Sequence, residues 1–404
     1  MQATSYLLAD GRVRELDDDT EEQLCWLWDL SAEEAVSQLY LQHGATDIFT
    51  ELLANPNLRV VEVAAGVVAN MTSHGPVVAT MLHNDRYLES VLGLLQLRDA
   101  PCLASALRCL HSCGYHLHQE EGDATLTHRW LVFLSLGTIA NNLAAVLGGC
   151  RNTEVLLQAS KLLSILAELW QQSEDTTVSL HYREEQFLAC VLEALAESVG
   201  QDRTVKHLAV FLSIVYCEAG LGSEVVSSLA ERLLQLVELV LQEHVLQYSQ
   251  LEQSDTELLD CLARLAHLSL ATGGWARLPA SLQARLAAAR ARLGQQQPHT
   301  GQLLSSCLAL LAGLQEDSEE SGDSSPTPDS PRHSIPTNSE HNSFRPSPLS
   351  STIKSSLAPS HTNPSPAPSH TSPSPASTHT IPSPVPSNSS ASPVPAPSSP
   401  RAAC

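Results

Sequence analysis

Apolar residues recur at helical spacing through the first three quarters of the chain. The most regular stretch is residues 55–82, where apolar side chains between positions 60 and 71 fall at i, i+3, i+4, i+7, i+8 and i+11. Asn55 is predicted to cap this helix, and Gly75 and Pro76 to separate it from a second apolar helix. Two helices with a tight corner are typical of a helical repeat, because one unit cannot bury its own apolar face.

Part of the stretch 55–82 recurs further along the chain. Residues 62–70 align with residues 103–111 at an offset of 41 residues, which lies in the range of about 40–47 residues for armadillo and HEAT repeats. Small residues around Gly66 predict a close approach between helices. Looser helical stripes follow at 154–170, 203–218, 223–248, 256–270, 281–293 and 301–314. The predicted fold class is therefore all-α, an armadillo/HEAT-like α-solenoid.

Proline usage divides the chain into domains. Residues 316–404 hold 19 of the 24 prolines, together with abundant serine and threonine and few large apolar residues. Such a segment cannot bury enough surface to offset the entropy of ordering it. We therefore predict an acidic flexible lead-in at 1–22, a helical repeat domain at 23–315 and a disordered Ser/Pro/Thr-rich tail at 316–404.

Several tail serines and threonines directly precede proline, the arrangement that proline-directed kinases require. The candidate phosphorylation sites are Ser325, Thr327, Ser330 and Ser399. Phosphates would make the tail strongly acidic. A passive spacer of Ser/Pro composition is the alternative interpretation.

The formal net charge of −22 argues against nucleic-acid binding, which needs clustered Lys and Arg. The tail holds seven acidic and four basic residues, so −19 of this charge belongs to the first 315 residues. A basic protein or peptide partner fits this balance, and a plain solvated surface is the alternative. The ten cysteines have no regular spacing, which indicates free thiols in a reducing compartment.

One segment has the length of a membrane span. Residues 130–150 carry no charged side chain over 21 positions. Asparagines and glycines interrupt the segment, and acidic helices surround it. We therefore predict a buried solenoid helix and no membrane partner, with a peripheral membrane adaptor as an alternative.

The sequence contains no nucleotide-binding loop, GxSxG elbow, HExxH or CxxC motif. The nearest approach to a metal site is the group Cys109, His111, Cys113, His116 and His118, in which the two thiols share a helix face. Thiols facing the solenoid core explain the same spacing. We predict no catalytic residue, no cofactor and no metal, and the alternative is a metal- or thiol-dependent enzyme centred on residues 109–118.

Three short motifs follow an acidic run in the block from Glu22 to about Leu110: residues 28–33 (WDLSAE), 45–49 (ATDIF) and 66–71 (GVVANM). With these motifs the block resembles the serum amyloid A-like protein (SAAL) family, an armadillo-like group. The resemblance implies a non-enzymatic, mainly nuclear protein that is linked to promoting cell proliferation. We expect an interaction protein located in the nucleus, with the cytoplasm as an additional location.

Asn70 is the main candidate for partner binding. Armadillo repeats commonly present an asparagine from their inner helix, and its amide can clamp the backbone of an extended peptide. Asn141 or Asn142 would supply a second clamp. An asparagine near a helix C-terminus is also a common structural feature, which is the alternative role of Asn70.

Overall fold

The computed structural model describes residues 15–119, 123–173, 176–218, 223–245, 253–271, 281–293 and 297–320. Within these ranges the chain forms α-helices and short 3₁₀ or π turns, and no strand. The helices are α1 (Asp18–Leu30), α2 (Glu34–Gln42), α3 (Ala45–Leu53), α4 (Leu58–Met71), α5 (Gly75–Leu82), α6 (Asp85–Gly93), α7 (Ala100–Gln119), α8 (Ala124–Leu134), α9 (Gly137–Gly149), α10 (Thr153–Gln172), α11 (Glu185–Glu197), α12 (Asp202–Glu218), α13 (Ser223–Val240), α14 (Gln253–Ala271), α15 (Leu282–Leu293) and α16 (Pro298–Glu320).

The longer helices pack side by side in a single series, which we call the long-helix row: α1, α4, α7, α10, α12, α14 and α16. Helices α3, α6, α9, α11, α13 and α15 form a second row, and α2, α5 and α8 form a third. The units thus have three helices up to α10 and two from α11 onward. The predicted all-α, armadillo/HEAT-like α-solenoid is confirmed.

The members of the long-helix row run parallel. Contacts between α4 and α7 join Leu58 to Cys102 and Ser73 to His116, so residue numbers rise together along both helices. The α14–α16 pair shows the same direction, because Thr300 contacts Asp260 and the next contact further along is Cys307 with Ala263. This register places equivalent faces of successive helices on one side of the row.

Helix α4 begins later than the sequence predicts. The cap is Asn57, whose side-chain oxygen accepts hydrogen bonds from the backbone N–H groups of Arg59 and Val60. Asn55, the predicted cap, instead accepts a hydrogen bond from the N–H of Asn57 at 2.9 Å. The prediction was wrong by two residues because Asn55 builds the turn that positions the true cap.

Gly66 lies in the middle of α4 where α1 crosses closest. An added Cβ at Gly66 would overlap the indole ring of Trp28. Trp28 in turn packs against the main apolar core, although α1 itself has no fully buried residue. The close approach predicted from the small residues of α4 is therefore confirmed at Gly66.

The uncharged segment 130–150 is divided between α8 and α9, which meet at an angle of 65°. Trp130 is 1% exposed and Leu147 is fully buried. No single helix among the described residues is long and apolar enough to cross a membrane, although this bent pair meets the criteria of length and composition together. The segment forms two solenoid helices and not the single buried helix that the sequence predicts.

Helix α16 extends to Glu320, and α1 begins at Asp18. The helical region therefore continues beyond the predicted domain limits of 23 and 315. Residues 321–404, which include the four candidate phosphorylation sites, lie outside the described residues.

We expect Gly66→Ala to destabilise the protein by about 1–3 kcal/mol, because the new methyl group must displace the Trp28 ring. Gly93→Ala at the end of α6 is the matched control, since its Cβ would meet no atom within 4 Å. Urea unfolding of both variants measures the difference. Equal unfolding midpoints would contradict the tight α1–α4 contact.

Candidate interaction surface

Each long helix exposes one narrow stripe and buries the rest of its circumference. Between Val60 and Met71 of α4, only Glu62 and Asn70 are not fully buried. We call the surface formed by the adjoining stripes the row face. It contains Glu62 and Asn70 of α4, Arg108, His111 and Tyr115 of α7, Glu154, Lys161 and Glu168 of α10, Lys206 and His207 of α12, and Glu257 of α14.

Contacts between neighbouring helices show that these stripes face the same side. The Arg108 guanidinium donates to Asn70 Oδ1 at 3.0 Å, joining α7 to α4. Further along the row, Lys206 Nζ and Glu257 Oε2 form a salt bridge of 2.5 Å between α12 and α14. His111 of α7 interacts with Lys161 of α10 and His207 of α12, and these contacts together make the row face continuous from α4 to α14.

Asn70 is the centre of a hydrogen-bond network that joins three helices. Its side-chain nitrogen donates to the backbone oxygen of Trp28 and to Ser31 Oγ, both at 3.1 Å. Its oxygen accepts from Arg108. Because both amide hydrogens are engaged, only the second lone pair of Oδ1 remains for a peptide. The clamp role of Asn70 stays a prediction, and the structure adds a role in fastening α1 to the row.

Three consecutive helices bring cationic and imidazole groups together on the row face. Burial, together with smaller contributions from the neighbouring Lys161 and His207, lowers the pKa of His111 to about 4. Burial likewise lowers the pKa of His207 to about 4, with contributions from Lys161 and Lys206. Burial also lowers the pKa of Arg108, although Cys109 and Glu154 act in the opposite direction. Both histidines are therefore neutral near pH 7.

Asn141 and Asn142 lie in the second row, on α9, and not beside Asn70. Asn141 is exposed and lines a surface cavity of about 470 Å³ between α9 and α11, with Cys190 and Glu193 on the other side. The side-chain nitrogen of Asn142 is buried without a hydrogen-bond partner among the described residues. These asparagines cannot act with Asn70 on one stripe, since their helix belongs to a different row.

The five Cys and His residues of α7 point in different directions. Cys109 and Cys113 are 1% exposed, and Cys109 Sγ contacts the Tyr87 hydroxyl at 3.1 Å. His116 Nε2 instead contacts the Ser73 oxygen, and His118 approaches Glu168. No group of three metal-ligating side chains occurs in the part of the chain that the structure describes. The five side chains therefore do not converge on one metal site, and the hydrogen bond from Cys113 is the largest of several contacts that lower the pKa of the buried Cys109 thiol.

Sequence reasoning missed the grouping of Arg108, His111, Lys161 and His207 on the row face. Arg108, Lys161 and His207 are separated by about fifty residues each along the chain, so no local pattern links them. The available signal was the repeat itself, because residues at equivalent positions of successive units become neighbours.

The fold and the row face define an α-solenoid of the armadillo type. No protein-family model matches the sequence. Among curated proteins, the chain is 25% identical to human (Homo sapiens) Protein SAAL1 over 163 residues, which is 40% of this chain and 33% of that protein. It is 27% identical to Protein saal1 of Danio rerio over 154 residues, which is 38% of this chain and 31% of that protein.

These relatives confirm the resemblance to the SAAL family predicted from the sequence. The chain spans about a third of the length of the curated relatives that it matches. A designed armadillo repeat protein, YIII(Dq)4CqI, is among the similar solved structures. It has a TM-score of 0.43 and 15% identity, with 62% of this chain and 95% of that chain covered.

We expect Asn70→Ala to lower the free energy of unfolding by about 1–3 kcal/mol, because the Trp28 carbonyl and the Arg108 guanidinium both lose a partner. Asn141→Ala is the control, since Asn141 is exposed. Thermal melts of the two variants make the comparison. An unchanged melting temperature for Asn70→Ala would remove the fastening role and favour the peptide clamp.

We also expect stability to fall as the pH drops from 6.5 towards 4, since the folded state holds His111 and His207 neutral while the unfolded chain takes up their protons. The stability associated with the neutral histidines is fully present above pH 6.5. The double variant His111→Gln/His207→Gln should flatten this slope in urea unfolding curves, and the exposed His43→Gln should not. A slope that is the same in all three proteins would contradict the assignment.

Proposed function

We propose that this protein is a non-enzymatic interaction scaffold that binds a protein or peptide partner along the row face. The observation that supports the proposal is the continuity of the exposed stripes, which the Asn70–Arg108 and Lys206–Glu257 contacts join across neighbouring helices. Side chains of different chemistry thus lie on successive helices of the row face. The similarity to SAAL1 proteins supports the same class of function.

The spacing of the row suits an extended segment that crosses the helices. Packed helices lie about 8–10 Å apart, so each step along the row matches about three residues of extended chain. A partner that crosses from α4 to α12 would meet Asn70, Tyr115, Lys161 and His207 in turn. Specificity would then come from the order of these side chains.

The cellular setting is part of the proposal. The family that the chain resembles implies a mainly nuclear protein linked to promoting cell proliferation, and we place it in the nucleus with the cytoplasm as an additional location. Phosphorylation at Ser325, Thr327, Ser330 and Ser399 would allow the tail to regulate partner binding in dividing cells. Phosphosite mapping in proliferating and arrested cells tests this part separately.

The partner surface can be tested with a photocrosslinking amino acid placed at Tyr115 of the full chain. Tyr115 is 47% exposed on the row face, and Val132 on α8 is a control of similar exposure (42%) in another row. We expect crosslinked partner proteins from cell extracts at Tyr115 and substantially less at Val132. Equal or stronger crosslinking at Val132 would contradict binding on the row face.

A further inference from the structure

The middle of the row face gathers basic and imidazole side chains, although the whole chain is acidic. The formal net charge of −22 suggested a basic partner. The middle of the row face nevertheless carries Arg108 and His111 from α7, Lys161 from α10 and His207 from α12. We call these four side chains the basic strip. They are all half-buried, so they are fixed in position and partly shielded from solvent.

The basic strip has no direct ion pair within the described part of the chain. None of its four side chains contacts a carboxylate at ion-pair distance there. Glu257 instead pairs with Lys206. Glu154 faces Arg108 from α10 and interacts with it electrostatically, while it accepts a hydrogen bond from Gln158. Arg108 and Lys161 are the charged members of the strip near pH 7, and half-buried cationic groups without a direct ion pair favour an external anion.

We propose that the basic strip binds an acidic, extended segment of a partner protein. This inference rests on the proposed function and adds the charge of the ligand. Three neighbouring helices supply the strip, so it extends over roughly 20 Å, about the length of six extended residues. Carboxylates spaced along a peptide match this length, and Tyr115 beside His111, at 6.3 Å between ring centroids, adds an aromatic contact.

Proton uptake should accompany binding. His111 faces Lys161 and His207, while His207 faces Lys161 and Lys206, so each imidazole has at least one lysine as a neighbour in the free protein. Arg108 is the remaining cation of the strip, and its hydrogen bonds go to Asn70 and the Gly66 oxygen. Carboxylates placed over the strip would favour the protonated imidazoles. Binding should therefore strengthen as the pH falls through the mildly acidic range.

The test is the binding of dye-labelled octaglutamate to the full chain, followed by fluorescence anisotropy at about pH 7.5 and about pH 6. Salt near the physiological level limits long-range repulsion by the acidic surface to about 8 Å. Lys161→Gln should weaken binding about fivefold, and His111→Gln/His207→Gln should remove the pH dependence. Arg232→Gln on α13 makes the same charge change in the second row and should leave binding unchanged.

Several results would overturn the proposal. Tighter binding of octalysine than of octaglutamate would restore the basic partner, and preferential binding of a single-stranded oligonucleotide would replace the acidic peptide by a nucleic acid. Equal losses of octaglutamate affinity in Lys161→Gln and Arg232→Gln would show that only the net charge of the protein matters. If Tyr115 captures a partner but octaglutamate does not bind, the scaffold function stands and the acidic ligand is rejected.

Discussion

The parallel packing of the long helices is the constraint on which the rest of the structure depends. Helix α10 is held between α7 and α12 and buries most of its length, from Val155 to Trp170. Each unit of a solenoid is stabilised mainly by its neighbours, so the ends of the row are its weakest part. At the N-terminal end α1 has no fully buried residue, and the stacking of Trp28 on Gly66 and the bonds of Asn70 hold it in place.

The same packing leaves only a few positions of each long helix free to determine the charge of the surface. Because the long helices bury almost every residue outside one stripe, the chemistry of the row face is set by a few positions in each helix. These positions include Arg108, Lys161 and Lys206 between α7 and α12, although the chain as a whole is strongly acidic. Net charge describes solubility and long-range attraction, whereas a partner in contact with the row meets only the local groups. The net charge of the chain and the local groups of the row face therefore favour different partners.

Much of the fold could be predicted from the sequence, since apolar periodicity identifies most helices and the 41-residue offset correctly pairs α4 with α7. The candidate site was less predictable. Asn141 follows the same local pattern as Asn70, but only the packing shows that α9 belongs to the second row. The convergence of His111, Lys161 and His207 depends on unit lengths that vary along the row, as the 51-residue step from Lys206 to Glu257 illustrates. Local sequence patterns do not contain that information.

The central claim is that the packing of the long-helix row provides most of the stability of the domain. Native-state hydrogen exchange of the full chain tests this claim most directly. Amides in stably packed helices exchange through the largest opening reactions. We predict the slowest exchange in α7, α10 and α12, intermediate exchange in their neighbours α9 and α11, and the fastest exchange within the row in α1. Slower exchange in the second row than in α10, or protection of α1 equal to that of α10, would contradict the account.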